Sequence, residues 1–205
     1  MQAPLGSGFV GRKHQPSRTS STEWRRSKGW NSPSWWDLQL SLGIVAQGSA
    51  QGVLDFCNVH LAQLHLVNVA TALHRIAKAP DKLKAIENIG LQSVIDRIFA
   101  LLQDGSVDKQ PVSLANIFWA CAKMGYVDLP LYDVIVEETM RHLVELDCQE
   151  CSNMCWAFAS LELFHGPLLT QLRIRAMDLI PRFDLQDLSN TSWALAKLGV
   201  LRSAL

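Results

Sequence analysis

Tryptophan returns at a fixed interval in the C-terminal part of this chain: Trp119, Trp156 and Trp193 stand 37 residues apart. Asn116, Asn153 and Asn190 keep the same spacing, and the words around them are related. They are Leu114-Ala-Asn-Ile-Phe-Trp-Ala-Cys-Ala-Lys-Met124, Cys151-Ser-Asn-Met-Cys-Trp-Ala-Phe-Ala-Ser-Leu161 and Leu188-Ser-Asn-Thr-Ser-Trp-Ala-Leu-Ala-Lys-Leu198. Outside these words, Pro130 and Met140 return as Pro167 and Met177 at the same offset. Self-similarity at such a period marks stacked supersecondary units. A weaker copy runs from Asn68 to Ala79 with Thr71 in the place of the Trp. Its Asn precedes Asn116 by 48 residues, so an insertion of 11 is expected between about Pro80 and Gly90.

Each period divides into two helices. The first opens on Asp147 or Asp184 with a second acid three residues on, Glu150 or Asp187, the pattern of a capping box at the positive end of a helix. It runs to about Leu161 or Leu198. The second starts beside Pro130 or Pro167, a residue tolerated in a first turn, and continues over residues 131 to 146 or 168 to 180. No segment alternates with the period of two that strands need. One helix pair cannot bury its apolar face alone, so the expected fold is all-α, an α-solenoid of stacked pairs.

Composition sets the boundary. Residues 1 to 49 hold nine Ser, four of the seven Trp and six Lys or Arg against two acids, a net of +4. They read as a flexible basic leader, or as an organelle transit peptide. Residues 50 to 205 form the helical-repeat domain and, since the whole chain is neutral, carry a net of −4. That balance argues against a general nucleic-acid binder. Five cysteines without an apolar secretory segment argue for reduced thiols. No apolar run reaches the roughly 18 residues of a membrane span.

The recurrent Trp sits on a helix rich in Ala, which favours a structural core of Trp119, Trp156 and Trp193 over base stacking. Cys148, Cys151 and Cys155 resemble metal ligands, yet one period later their slots hold Leu185, Leu188 and Ser192, so apolar packing explains them and no metal or cofactor is expected. The more informative stripe is polar. By the helical period Asn116 and Lys123 share a face, as do Asn153 and Ser160, Asn190 and Lys197, and in the first copy Asn68 and Arg75. As a ladder between repeats these amides would bond neighbouring backbone. As a concave surface, Asn would meet base edges and Lys or Arg phosphates of single-stranded RNA. No phosphate loop, nucleophile elbow or paired carboxylates appear, so no catalytic residue is assigned.

The words Asn-x-x-Trp-Ala-x-Ala-Lys-Leu-Gly at Asn190 to Gly199 and their variant at Asn116 to Gly125 resemble known repeats. So does Asn-Val-Ala-Thr-Ala-Leu-His-Arg-Ile-Ala-Lys at Asn68 to Lys78. They are similar to the repeats of octotricopeptide-type proteins of chloroplasts, Fas-activated serine/threonine kinase-like proteins of mitochondria, and helical-repeat subunits of RNA-editing substrate-binding complexes. The resemblance implies an α-solenoid that binds RNA in a chloroplast or mitochondrion, without catalysis, supporting transcript processing, stability, editing or translation within a ribonucleoprotein complex. No RAP domain, which often follows such repeats, is expected within these 205 residues. The rival is a protein-interaction scaffold of the same fold. Arg75, Lys123, Arg173, Arg175 and Lys197 gathered on one face would favour RNA; their dispersal would favour the scaffold.

Overall fold

In the computed structural model of the protein, residues 34 to 199 are described, and every regular element among them is helical. The helices are α1 (Trp35–Val45), α2 (Ala50–Val59), α3 (Leu66–Lys78), α4 (Lys82–Ile86), α5 (Ile89–Gln103), α6 (Pro111–Met124), α7 (Leu129–Arg141), α8 (Cys148–Ser160), α9 (Gly166–Leu179) and α10 (Leu185–Lys197). Short 3-10 turns, Leu61–Gln63, Leu143–Glu145 and Ile180–Arg182, lead into α3, α8 and α10. The first of the two expected second helices therefore ends at Arg141, because Leu143–Glu145 tightens into a separate turn.

Local chemistry fixes the starts. Glu150 N–H donates to Asp147 Oδ1 at 3.1 Å, and Asp147 N–H donates back to Glu150 Oε2 at 2.9 Å. Asp184 and Asp187 repeat this at α10. These are the expected capping boxes, each satisfying two orphan donors. Ser34 and Asp37 make another at α1, where the Ser34 N–H donates to Asp37 Oδ2 at 2.9 Å. At α6 the Gln110 side chain makes no cap; Pro111 takes the first turn instead, where its missing N–H costs nothing.

The boundary expected after residue 49 falls earlier. α1 lies inside the expected leader yet packs on α3. There Asn68 donates to Asp37 O at 2.8 Å and Ser41 Oγ at 3.0 Å, and His65 Nδ1–H donates to Asp37 Oδ1 at 2.6 Å. Burial works against the Asp37 carboxylate, but hydrogen bonds from the Ser34 hydroxyl and N–H and from His65 outweigh it and hold its pKa below the usual value. Residues 1 to 33 of the expected leader lie outside the described residues.

α1, α3, α6, α8 and α10 pack each on the next as one row, and α2, α5 and α7 form a second row behind them, with α9 against α8. The front row approaches closely because one slot is small: Ala120, Ala157 and Ala194, 37 residues apart, are fully buried. Behind it Phe118 is sealed in, its ring edge-on to Phe158 of α8 at 4.7 Å and to Tyr132 of α7 at 5.2 Å. Arginines tie the rows at matching points. Arg97 of α5 donates to Leu64 O ahead of α3 at 2.9 Å, and Arg175 of α9 donates to Leu146 O ahead of α8 at 2.6 Å. Between them, Glu138 stands 37 residues before Arg175 and pairs with Lys109 at 3.0 Å. No helix among the described residues is long and apolar enough to cross a membrane.

Three of the front helices end alike. Gly125, Glu162 and Gly199, again 37 apart, have φ of 71°, 56° and 69°. Glycine accepts the left-handed region freely, whereas an L side chain there costs roughly 1–2 kcal/mol. Glu162→Gly is therefore expected to raise stability by about 1 kcal/mol in urea unfolding, net of its exposed pair with Lys197. Phe118→Ala, which empties a sealed site, is expected to lose about 3–5 kcal/mol by the same measurement.

Candidate nucleic-acid interface

Counting from each N-cap gives the register of the front row. His65, Gln110, Asp147 and Asp184 are the N-caps of α3, α6, α8 and α10, and nine residues after them stand His74, Trp119, Trp156 and Trp193. Thirteen residues after them stand Lys78, Lys123, Ser160 and Lys197. The first copy is thus displaced by one helical turn from the alignment on Asn68. His74, not Thr71, occupies the Trp slot, and Lys78, not Arg75, occupies the Lys slot. N-caps His65 and Gln110 are 45 residues apart against 37 for the next two steps, so the insertion is eight rather than 11, and it contains α4.

The rings bear this register out. His74 lies 5.1 Å from Trp119, and Trp119 lies 6.1 Å from Trp156, tilted by 40° and 35°. A lysine from the preceding helix sits over each of two rings: Lys78 is 5.7 Å from the Trp119 centroid and Lys123 is 6.0 Å from that of Trp156. Lys197 lies 5.4 Å from its own Trp193 and pairs with Glu162 at 3.1 Å. Such placements gain cation–π attraction. Three residues before each ring come Thr71, Asn116, Asn153 and Asn190, on the same helix face. Each of these four helices thus offers a short polar side chain, a ring, and an ammonium or hydroxyl.

The expected core role of the tryptophans is corrected in part. Trp119 and Trp156 are half-buried with one side against the core, and Trp193 is 45% exposed. The sealed aromatics are Phe118, Phe158 and Tyr132, and Phe118 occurs once in its slot, which gives the repeat pattern nothing to mark. Among the expected RNA contacts, Asn68 is withdrawn: it is fully buried, accepts from His65 N–H at 3.0 Å and ties α3 to α1. By its place in the first turn it is a cap residue and does not occupy the slot of Asn116, Asn153 and Asn190. Arg75 reaches Val45 O at 3.2 Å and Gln47 O at 3.4 Å, serving the carbonyl end of α1. Arg175 is likewise held by Leu146. The five basic residues therefore do not gather; Lys123 and Lys197 share the ring face, joined by Lys78, which periodicity alone does not single out. Asn116 and Asn153 are half-buried and without a hydrogen bond among the described residues, whereas Asn190 Oδ1 accepts from Gln186 at 2.9 Å.

Cys151 and Cys155 are fully buried and Cys148 half-buried, so they pack as small apolar groups. A hydrogen bond with Cys155 and burial push the Cys151 thiol well above its ordinary value, and burial raises Cys148. Among the described residues no three His, Cys, Asp or Glu are grouped to hold a metal ion. Compared with known proteins, the chain matches no family model and no curated sequence.

Burial, then the charges of Lys78 and Arg75, lower the His74 pKa, so the ring is neutral at pH 7 and stacks as an aromatic. With the folded value depressed, the unfolded chain takes up the proton first. The contribution of His74 to stability is intact above the ordinary histidine pKa of about 6.5 and is lost as pH falls through the folded value. His74→Phe is expected to reduce the loss of urea midpoint between pH 7.5 and pH 5.5; an unchanged difference would show that the ring titrates freely.

Proposed function

We propose that the stacked helix pairs form an α-solenoid of 37-residue repeats whose ring face binds single-stranded RNA without catalysis. The observation that carries this reading is the row His74, Trp119, Trp156 and Trp193 with Lys78, Lys123 and Lys197 beside it. Aromatic platforms flanked by cations are how proteins hold unpaired strands, since every base has a π-face and every nucleotide a phosphate. Trp119 and Trp156 pack one side on the core and keep the rest of each ring open to solvent, where a base can meet it. Because the repeats carry a net charge of −4, stacking on the rings contributes more to affinity than contact with phosphates. By resemblance of its repeat words, the protein acts in organellar RNA processing, stability, editing or translation, in a chloroplast or mitochondrion.

A second reading, a protein-interaction scaffold, is the one that the dispersal of the five basic residues favours, and it draws on exposed apolar side chains: Leu185 is 87% exposed and Phe164 71%. Apolar side chains standing clear of the array suit a protein partner better than a polyanion.

Titration of a labelled single-stranded RNA at several salt concentrations tests the first reading. Three phosphate contacts predict a shallow slope of log K against log salt, about −2 for a single strand. Replacing Lys78, Lys123 and Lys197 together by Ala is expected to flatten it to near zero, and Trp193→Ala to weaken binding about tenfold, within the range for one stacked base. An unchanged slope in the triple variant would remove this face from RNA binding.

A further inference from the structure

The four rows of the ring face are not equivalent in what they leave open, and the difference bears on sequence preference; this step rests on the RNA-binding reading above. Six residues after the N-cap, each of the four ring-bearing helices carries its short polar side chain. Thr71 commits its hydroxyl to its own helix, donating to Val67 O at 2.8 Å. Asn190 accepts from Gln186 one turn earlier. Asn116 and Asn153 do neither: both residues are half-buried, in the middle of a helix, and their amides have no hydrogen bond among the described residues.

Stability gives no reason for them. Asparagine is a poorer helix former than alanine, and neither amide is among the buried polar atoms without a partner, so both keep their polar atoms open to solvent. What they have in common is position. Each lies three residues before a tryptophan, and the two rings, Trp119 and Trp156, are neighbours at 6.1 Å. A base resting on those rings would bring its edge toward the amides of the same two helices. An asparagine amide offers one donor and one acceptor side by side, the pattern that pairs bidentately with adenine N6 and N7.

We propose that base choice along the bound strand is confined to two adjacent nucleotides, recognised by Asn116 and Asn153 with adenine preferred at both. The outer rows hold the strand through His74, Lys78, Trp193 and Lys197 without distinguishing bases.

Fluorescence anisotropy of the full chain tests this with labelled uridine decamers: one unsubstituted, one with a single central adenosine, one with two adjacent adenosines and one with two separated by a uridine. The expected order is tightest for the adjacent pair, about tenfold for each adenosine recognised, with the separated pair equal to the single substitution. Asn116→Ala and Asn153→Ala should each remove one step, and the double variant should bind all four RNAs as wild type binds the uridine decamer. Asn190→Ala should keep the full order, and thermal melting checks that every variant is folded. Wild-type binding that is equal for all four RNAs, or an order that survives in the double variant, overturns the proposal while leaving RNA binding intact. Absence of binding to every RNA overturns both readings together.

Discussion

Everything in this molecule depends on how closely the front-row helices approach one another. The buried slot of Ala120, Ala157 and Ala194 lets one helix lie against the next, and a methyl group there leaves no room for a larger neighbour. Once the backbones are that close, residues one position earlier on the helix are forced to the rim of each contact. That rim is where Trp119, Trp156 and Trp193 stand. The ring row is thus a by-product of tight stacking in its geometry, although not in its chemistry, because any residue could have filled the rim.

Much of this is legible in the residues themselves. The 37-residue interval and the Asp147–Glu150 and Asp184–Asp187 pairs announce paired helices and their starts, since capping is decided within four residues and owes nothing to distant packing. The first copy misaligns for a physical reason. A helix returns to the same face after three or four residues, so matching Asn68 to Asn116 preserves the apolar pattern while slipping a full turn. Only the cap resolves it: Asn68 accepts from His65 N–H, which makes it the counterpart of Glu150 and Asp187, not of Asn153. α1 is hidden from periodicity because Trp35, Trp36, Leu38 and Leu42 are apolar yet exposed, so its pattern has no polar side to contrast with the buried one.

The ties between rows show how much variation the array tolerates. Arg97 and Arg175 clamp the carbonyl that precedes a front helix, and a guanidinium suits this because its planar fork can place two N–H groups on one oxygen. At the intervening position Glu138 reverses the charge and takes Lys109 and Arg141 as partners instead. The repeat keeps a polar tie at that place rather than a residue type. Matching identities alone would score the position as a mismatch, while a tie to a residue ahead of a front helix is kept, to a backbone carbonyl in two cases and to the Lys109 ammonium in the third.

The extra chain around α4 has a practical side. It lengthens one turn between a front and a rear helix, and it is fastened there by Asp81, whose carboxylate accepts from Ala50 N–H at 2.9 Å, while the ring contacts between α3 and α6 continue past it. Added length at that edge is therefore absorbed sideways, without spreading the helices. The corresponding bends at Gly125–Asp128 and Glu162–His165 stay short, and each closes on a residue, Asp128 or His165, that caps the rear helix after it.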